Sequence, residues 1–131
     1  MKRDFHFKAF KFLFLTVAFF SGGNFIASES AVSEFETRCG WFSNPTPANA
    51  WLTDRDGEWI IAVQGGYQAK GDWPPDFKPK QWVKTNVEHG YGCACFRVKV
   101  NRKTHEVIEI KSAYARPLAA CRKDRSLKEP K

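Results

Sequence analysis

Apolar and polar residues alternate along much of the chain with the two-residue period of a β-strand. The stretch CACFRVKV (93–100) places an alanine, a phenylalanine and two valines on one face and two cysteines, an arginine and a lysine on the other. After a short polar turn, EVIEIKS (106–112) places Ile108 and Ile110 on one face and Val107 on the opposite face. Two alternating runs joined by a short polar turn predict a β-hairpin with one apolar face.

Further strands are predicted upstream of this hairpin. EWIIAV (58–63) is apolar on both faces, which indicates a central strand that is buried on both sides. The turn signal DRDG (54–57) lies beside it, and AWLT (50–53) is its predicted hairpin partner. RCGWF (38–42) and QWVKT (81–85) are two further short strand candidates.

Two segments rich in turn-forming residues are predicted to be loops: QGGYQAKGDWPPDFKPK (64–80) and SNPTPAN (43–49). Helical periodicity is weak, and Pro117 limits the helical candidate SAYARPLAAC (112–121) to about one turn. The pattern as a whole predicts a mainly β fold. We expect a small single-domain antiparallel sheet of hairpins, with roughly five short strands and one long Gly/Pro-rich loop.

The first residues differ in character from the rest of the chain. A basic start is followed by the apolar run FLFLTVAFF (12–20) and then by small and polar residues. This order predicts a secretory signal peptide over 1–30, with cleavage within 27–33, because a membrane-spanning helix needs a longer run of roughly 20 apolar residues. We therefore expect an exported protein, periplasmic or extracellular, with no stable membrane anchor after cleavage and one small domain at 34–131.

The chain is modestly basic, with 21 Lys and Arg residues against 14 Asp and Glu residues. The positive residues are spread along the sequence, apart from a late cluster, CRKDRSLKEPK (121–131). A basic tail can contact nucleic acid or an anionic surface. No nucleic-acid motif accompanies this one and export argues against such a partner, so we expect a solvated, frayed terminus and no nucleic acid.

The chain beyond the predicted signal peptide has four cysteines, Cys39, Cys93, Cys95 and Cys121. An even number in a short exported chain predicts a disulfide framework. The alternative is a metal site, since His89 precedes Cys93 by four residues. This motif lacks a second ligand pair at zinc-finger spacing, and exposed thiols are oxidised in an exported protein, so no metal site is assigned.

The spacing of the cysteines restricts their pairing. If Cys93 and Cys95 lie in one strand, their side chains point the same way and lie roughly 6.6 Å apart. A disulfide needs Cβ atoms about 3.8 Å apart, so these two are predicted not to bond to each other. One is expected to bond to Cys39 and the other to Cys121. We favour Cys39–Cys95 with Cys93–Cys121, because the predicted hairpin returns the chain past residue 93 before it reaches residue 121.

Several stretches together resemble an uncharacterised bacterial family, domain-of-unknown-function family 4087. They are RCGWFSNPTPANAWLTDRDGEW (38–59), QGGYQAKGDW (64–73), WVKTN (82–86), YGCACF (91–96) and ARPLAACRKD (115–124). The resemblance covers nearly all of the chain beyond the signal peptide and includes all four cysteines. It implies an exported bacterial protein and provides no catalytic residue to carry over.

Acidic residues bunch around the DRDG turn, where Asp54, Asp56 and Glu58 lie close in sequence. Two carboxylates with divergent pKa values can act as the acid and base of a glycoside hydrolase. The simpler interpretation is a turn, because an Asp side chain accepts a hydrogen bond from the backbone two residues further on. The turn is favoured, and no catalytic residue and no cofactor is assigned.

The aromatic residues favour a binding surface. All five tryptophans lie beyond the predicted signal peptide, and a small domain uses most such side chains to fill its core. Trp73 in the long loop is the candidate for an exposed platform. It is predicted to form a binding surface with Asn44, Tyr67 and Asp72, from the two loops.

Function is predicted by class. The favoured hypothesis is a non-catalytic binding module of the cell envelope that recognises a glycan, a peptide or a protein, such as a hydrolase to be inhibited. The first alternative is a small hydrolase that uses Asp54, Asp56 and Glu58. The second alternative is a structural or accessory subunit of the envelope.

Overall fold

The computed structural model describes residues 30–131. The predicted signal peptide lies outside the described residues, apart from Ser30. Within 30–131, no helix is long and apolar enough to cross a membrane. Most of the described chain is β-strand, as the alternating pattern predicts.

Six strands and one short helix organise the described chain. The strands are β1 (Glu36–Thr46), β2 (Asn49–Asp54), β3 (Gly57–Ala62), β4 (Trp82–Asn86), β5 (His89–Asn101) and β6 (Glu106–Arg116), and the helix is α1 (Leu118–Arg122). A 3₁₀ turn, Pro79–Gln81, precedes β4. The prediction of a mainly β fold built from hairpins is confirmed, with six strands where roughly five were expected.

The strands form one sheet in the order β1-β2-β3-β6-β5-β4, and β1 also pairs with β5. Five strands therefore close into a ring, in which every pairing is antiparallel except a single bridge between Ile60 of β3 and Glu106 of β6. β4 lies outside the ring and pairs with β5 alone. Within 30–131, the other edge of β4 has no strand partner.

The ring encloses an apolar cluster that we call the inner core. Phe42, Leu52, Ile61 and Phe96 are fully buried in it, and Trp59 is 2 % exposed. Burial of a large apolar side chain contributes about 1.5–3 kcal/mol to stability, so these residues supply much of the driving force for folding.

The hairpin of β5 and β6 is present, but its side chains follow a different register from the predicted one. Val107 pairs with Val100 and Ile110 pairs with Val98, and all four are buried in the inner core. The register shifts between these two pairs, so Ile108 is left without a direct partner. The prediction that Ile108 shares the face of Ile110 is therefore wrong, because a bulge reverses the alternation at this point.

The segment 43–49 is not a loop, which corrects the prediction. β1 continues to Thr46 and β2 begins at Asn49, so only two residues connect them. The register shifts between Ser43 and Thr46, which accommodates Pro45 without a regular ladder of hydrogen bonds. The prediction failed because Pro45 was expected to end the strand before this segment. Pro45 instead lies within the last residues of β1, where the strand pairing is irregular.

The predicted long loop at 64–80 is confirmed as far as Lys78, and the 3₁₀ turn follows it. It crosses the sheet and is fixed by two isolated bridges, one of which joins Lys70 to Glu109 of β6. Ala69 is buried in the inner core, and Phe77 packs against the same core. This loop therefore covers one side of the inner core.

A second apolar group, which we call the outer cluster, lies on the opposite face of β1 and β5. It consists of Trp41, Tyr91, Cys93 and Cys121. The C-terminal segment covers it: Leu127 packs against the cluster, and the hydroxyl of Tyr91 donates to Glu129 at 3.0 Å.

The C-terminal segment is not the frayed terminus that the basic cluster 121–131 predicted. Arg122 donates hydrogen bonds to both carboxylate oxygens of Glu129, at 2.7–3.1 Å. Burial and the Glu129 hydrogen bond raise the pKa of Tyr91, and the Arg122 hydrogen bonds lower the pKa of Glu129. The charged end of the chain therefore binds to its own sheet, which the count of basic residues did not reveal.

Both disulfides have the favoured pairing, Cys39–Cys95 and Cys93–Cys121. Cys39 and Cys95 lie directly opposite each other on β1 and β5. Arg116, at the end of β6, lies opposite Cys93, so the chain leaves the hairpin beside Cys93 and reaches Cys121 within α1. Cys93 is therefore the nearer partner of Cys121, as the predicted return of the hairpin past residue 93 indicated.

Candidate ligand-binding groove

The four residues predicted to form a binding surface do not line one groove together. The hydroxyl of Tyr67 donates to the carbonyl of Val107 at 2.8 Å, which ties it to β6. Trp73 is partly buried and packs against the inner core, with its ring 6.4 Å from that of Phe42, so the expectation of a freely exposed platform is corrected. Asp72 is exposed, and Asn44 lines a groove whose lining includes none of the other three residues.

That groove has a volume of about 520 Å³ and lies between the long loop and the hairpin of β4 and β5. Half of its lining residues are proline or aromatic, and the others carry polar or charged side chains. The lining residues are Asn44, Pro74, Pro75, Asp76, Phe77, Pro79, Trp82, Lys84, Glu88 and His89. A concave apolar surface with a few polar groups is the usual form of a ligand site.

The apolar wall of the groove rests on the inner core. The rings of Phe77 and Trp82 lie 4.8 Å apart, and both pack on Phe42. Phe77 lies directly on the backbone of β5, where a Cβ atom on Gly92 would come within 2.5 Å of the Phe77 ring. Only glycine fits at position 92 without moving that ring, which explains one glycine of the GYG run (90–92).

The hairpin tip forms the polar rim. The indole N–H of Trp82 donates to the carbonyl of Glu88 at 3.1 Å, and the ammonium of Lys84 lies 2.8 Å from the Glu88 carboxylate. Between them, Val87 is 80 % exposed and has a φ of 55°, a left-handed conformation that is unusual for a β-branched residue. The tip thus presents an exposed apolar side chain beside the groove.

His89 and Asn44 meet across the end of the sheet. Asn44 lies on β1 and His89 at the start of β5, where the two strands pair. The Nδ1 atom of His89 lies 3.1 Å from the amide oxygen of Asn44. The amide nitrogen of Asn44 donates to the carbonyls of Thr46 and Asn49, at 3.0 and 2.7 Å. Asn44 therefore connects the turn between β1 and β2 to the histidine of the groove.

The carboxylates of the DRDG turn lie elsewhere and bind an arginine. Arg38 donates to Asp54 at 2.6 Å and to Asp56 at 2.9 Å. Asp54 also accepts hydrogen bonds from the backbone of Asp56, as the turn interpretation predicted, and from the Trp59 indole. Burial opposes the charge of Arg38, but these hydrogen bonds outweigh it and raise the pKa of Arg38.

This charged cluster favours a structural role. The guanidinium of Arg38 also lies 4.0 Å from the centre of the Trp59 ring, so it joins the turn to the inner core. Both carboxylates are engaged by the same cation, which leaves neither placed as the free base or acid that hydrolysis needs. Glu58 is exposed on β3.

The candidate metal ligands are likewise engaged. Cys93 and Cys95 are both oxidised in disulfides, so the sequence H-x₃-C-x-C offers no thiolate. Within 30–131, no group of three or more His, Cys, Asp or Glu side chains is placed to hold a metal ion.

Asn44 is the one groove-lining residue that was predicted from the sequence to lie at a binding surface, and Phe77, Trp82 and His89 were not. The GYG run (90–92) indicated that another group lies close to this strand, since a glycine in a strand often marks such a close approach. The glycines did not identify Phe77 as that group, because the path of the long loop brings Phe77 against Gly92, and the sequence does not show that path.

The ring of strands with its two disulfides defines a small disulfide-bonded β domain. The chain belongs to the family described as "Protein of unknown function (DUF4087)", which matches residues 33–128 and confirms the resemblance seen in the sequence. No curated protein and no solved structure matches the chain.

Proposed function

We propose that this protein is a non-catalytic binding module of the bacterial cell envelope that holds an extended peptide segment of a partner protein in the groove. The observation that carries the proposal is the groove itself, an apolar concavity with a rim of polar groups. Its walls are stiff, because three prolines line it and Phe77 is fixed against β5. A stiff site loses little conformational entropy on binding.

The chemistry of the lining favours a peptide over a glycan. Three prolines and two aromatic rings suit an apolar side chain better than a hydroxyl-rich sugar. β4, which contributes Trp82 and Lys84 to the groove, also has an unpaired edge among the described residues. Such an edge supplies backbone hydrogen bonds that an extended peptide can use.

The non-catalytic assignment is supported by the roles of the residues that could react. The cysteines are in disulfides, and Asp54 and Asp56 are bound to Arg38. In the groove, His89 contacts an amide and not a serine, threonine or carboxylate. A nucleophile with its activating base is thus missing from the lining of the groove.

Export is supported by the disulfides, which persist in oxidising compartments. The contacts of Ser33 support a narrower expectation for the site at which a leader is removed. Ser33 is buried, its backbone N–H donates to the carbonyl of Val100, and its hydroxyl accepts from the Val100 N–H. We therefore expect cleavage before Ser33 within the predicted interval 27–33, because loss of Ser33 would leave the buried N–H of Val100 unpaired.

Photo-crosslinking tests the proposed function. The photoreactive residue benzoylphenylalanine replaces Asp76, which is exposed at the groove, or as a control Lys103, which is exposed at the opposite end of β5. In envelope extract, position 76 should yield a crosslink to one short segment of a partner protein, mapped by mass spectrometry, and position 103 should not. Equal crosslinking at the two positions, or none at position 76, would contradict the proposal.

A further inference from the structure

The orientation of the Asn44 side chain is fixed by its neighbours. Its amide nitrogen lies 3.0 Å from the carbonyl oxygen of Thr46 and 2.7 Å from that of Asn49. Carbonyl oxygens only accept hydrogen bonds, so the group facing them must be the NH₂ and not the oxygen. The oxygen of Asn44 therefore points to the other side, where His89 lies.

This orientation determines which nitrogen of His89 carries a proton. Nδ1 lies 3.1 Å from the Asn44 oxygen, which cannot donate. Nδ1 must therefore be the donor, and in the neutral ring the remaining nitrogen, Nε2, is an acceptor. Nε2 has no hydrogen-bond partner among the described residues, and it is not among the buried unpaired atoms, so solvent reaches it.

The other uncharged polar side-chain atoms of the groove are already engaged. Both functions of the Asn44 amide are used, and the Trp82 indole N–H donates to the carbonyl of Glu88. The charged pair Lys84 and Glu88 is exposed and its members bind each other. Nε2 of His89 is thus the one uncharged polar side-chain atom of the lining that is free to bind a ligand.

We propose that His89 is the specificity-determining residue of the groove, and that its Nε2 accepts a hydrogen bond from an N–H group of the bound peptide. This inference rests on the proposed function. Asn44 is a positioning residue, which fixes the ring and keeps Nδ1 protonated. The groove then selects an apolar side chain beside an N–H donor, a combination that a peptide presents at each apolar residue other than proline and a carboxylate-rich or ester ligand does not.

The positioning role is tested without a ligand. In ¹⁵N NMR of the folded protein, the neutral ring of His89 should carry its proton on Nδ1 and not on Nε2. Asn44→Leu removes the acceptor and should shift the ring toward the other tautomer, while the signals of His105, in the turn between β5 and β6, stay unchanged. A predominantly Nε2-protonated His89 in the unmodified protein would overturn the proposal.

The recognition role is tested by two substitutions that retain different halves of the ring. Glutamine places its amide near the position of Nε2, and asparagine places its amide near that of Nδ1. With benzoylphenylalanine at position 76 in envelope extract, H89N and H89F should lower the crosslink yield about tenfold, the size of one lost hydrogen bond. H89Q should stay within about threefold of the unmodified protein.

The outcomes separate this inference from the proposed function. If the protein with His89 and benzoylphenylalanine at position 76 gives a crosslink and H89F with the same probe crosslinks equally well, the groove binds a partner but His89 does not select it. If H89Q fails as badly as H89F in protein whose disulfides and circular dichroism are intact, an acceptor at Nε2 is not what matters. If the protein with His89 and benzoylphenylalanine at position 76 gives no crosslink, the proposed function and this inference fail together.

Discussion

The inner core and the outer cluster lie on opposite faces of β1 and β5, and different parts of the chain cover them. The inner core is closed by other strands and by the long loop, through contacts between apolar side chains such as Phe42 and Phe77. The outer cluster is closed by eleven C-terminal residues, 121–131, through one disulfide and the ionic contacts of Glu129.

The difference shows two ways for a small sheet to bury both faces. Apolar packing dominates where the chain is long enough to return several times across the sheet. Where only a short segment covers the sheet, a disulfide and ionic contacts hold that segment in place. We therefore expect the inner core to respond mainly to side-chain volume, and the outer cluster to respond to reductants and pH.

The largest effect is expected from Phe42→Ala. Phe42 is fully buried and contacts the rings of Phe77, Trp82 and Phe96. The cavity should lower the free energy of unfolding by about 3–5 kcal/mol, measured by guanidinium denaturation. Tyr114→Ala, at a residue that is 55 % exposed, is the matched control and should change it by less than about 0.5 kcal/mol. A comparable loss of unfolding free energy in both variants would contradict the expectation that stability depends mainly on side-chain volume in the inner core.

Removal of the outer disulfide should have the next largest effect. The bond Cys93–Cys121 closes a loop of 28 residues, and the double variant Cys93→Ala/Cys121→Ala should lose about 2–4 kcal/mol. Trypsin should then cut first after Arg122 and Lys123, while residues 36–116 stay protected. Simultaneous digestion of the whole domain would show that the two faces do not respond separately.

The smallest effect is expected from acid. Hydrogen bonds from Arg122 hold the pKa of Glu129 below its ordinary value of 4.5, so the folded state favours the ionised carboxylate. This contribution is present above pH 4.5 and is lost as the pH falls through the folded-state value. Surface ion pairs contribute little, so the expected result is a modest rise in cleavage by the acid protease pepsin beside Leu127 as the pH falls through this value. Glu129→Gln should abolish this pH dependence, and an unchanged dependence would refute the assignment.

The sequence predicted well those features that depend on local alternation. The hairpin around 93–112 and the disulfide pairing follow from the period of the strands and the spacing of the cysteines, and the long loop follows from its glycines and prolines. The register of Val107 and Ile110 could not be predicted from this alternation. A bulge depends on packing between two strands, which the pattern of a single strand does not contain.

The groove was less predictable than the fold. Asn44 was predicted because it lies in the Pro-containing segment 43–49, which was expected to be a loop. Phe77, Trp82 and His89 come from three separate segments, and they meet because the loop returns across Gly92. Trp73 was predicted to be exposed from its position in the loop, yet it is partly buried and packs against the inner core. A small domain buries aromatic side chains from its loops because its strands alone supply a limited core.

The two disulfides also determine how the domain responds to mechanical tension. Because Cys39 is bonded to Cys95 and Cys93 to Cys121, a pull on the two ends passes from Cys39 to Cys95, through Ala94, and from Cys93 to Cys121. The stretches 40–92 and 96–120 are bypassed and carry no tension while both bonds are intact. The groove-lining residues, from Asn44 to His89, all lie within the first bypassed stretch. Between Cys39 and Cys121 the domain therefore behaves as a nearly inextensible link in which the groove is shielded from force.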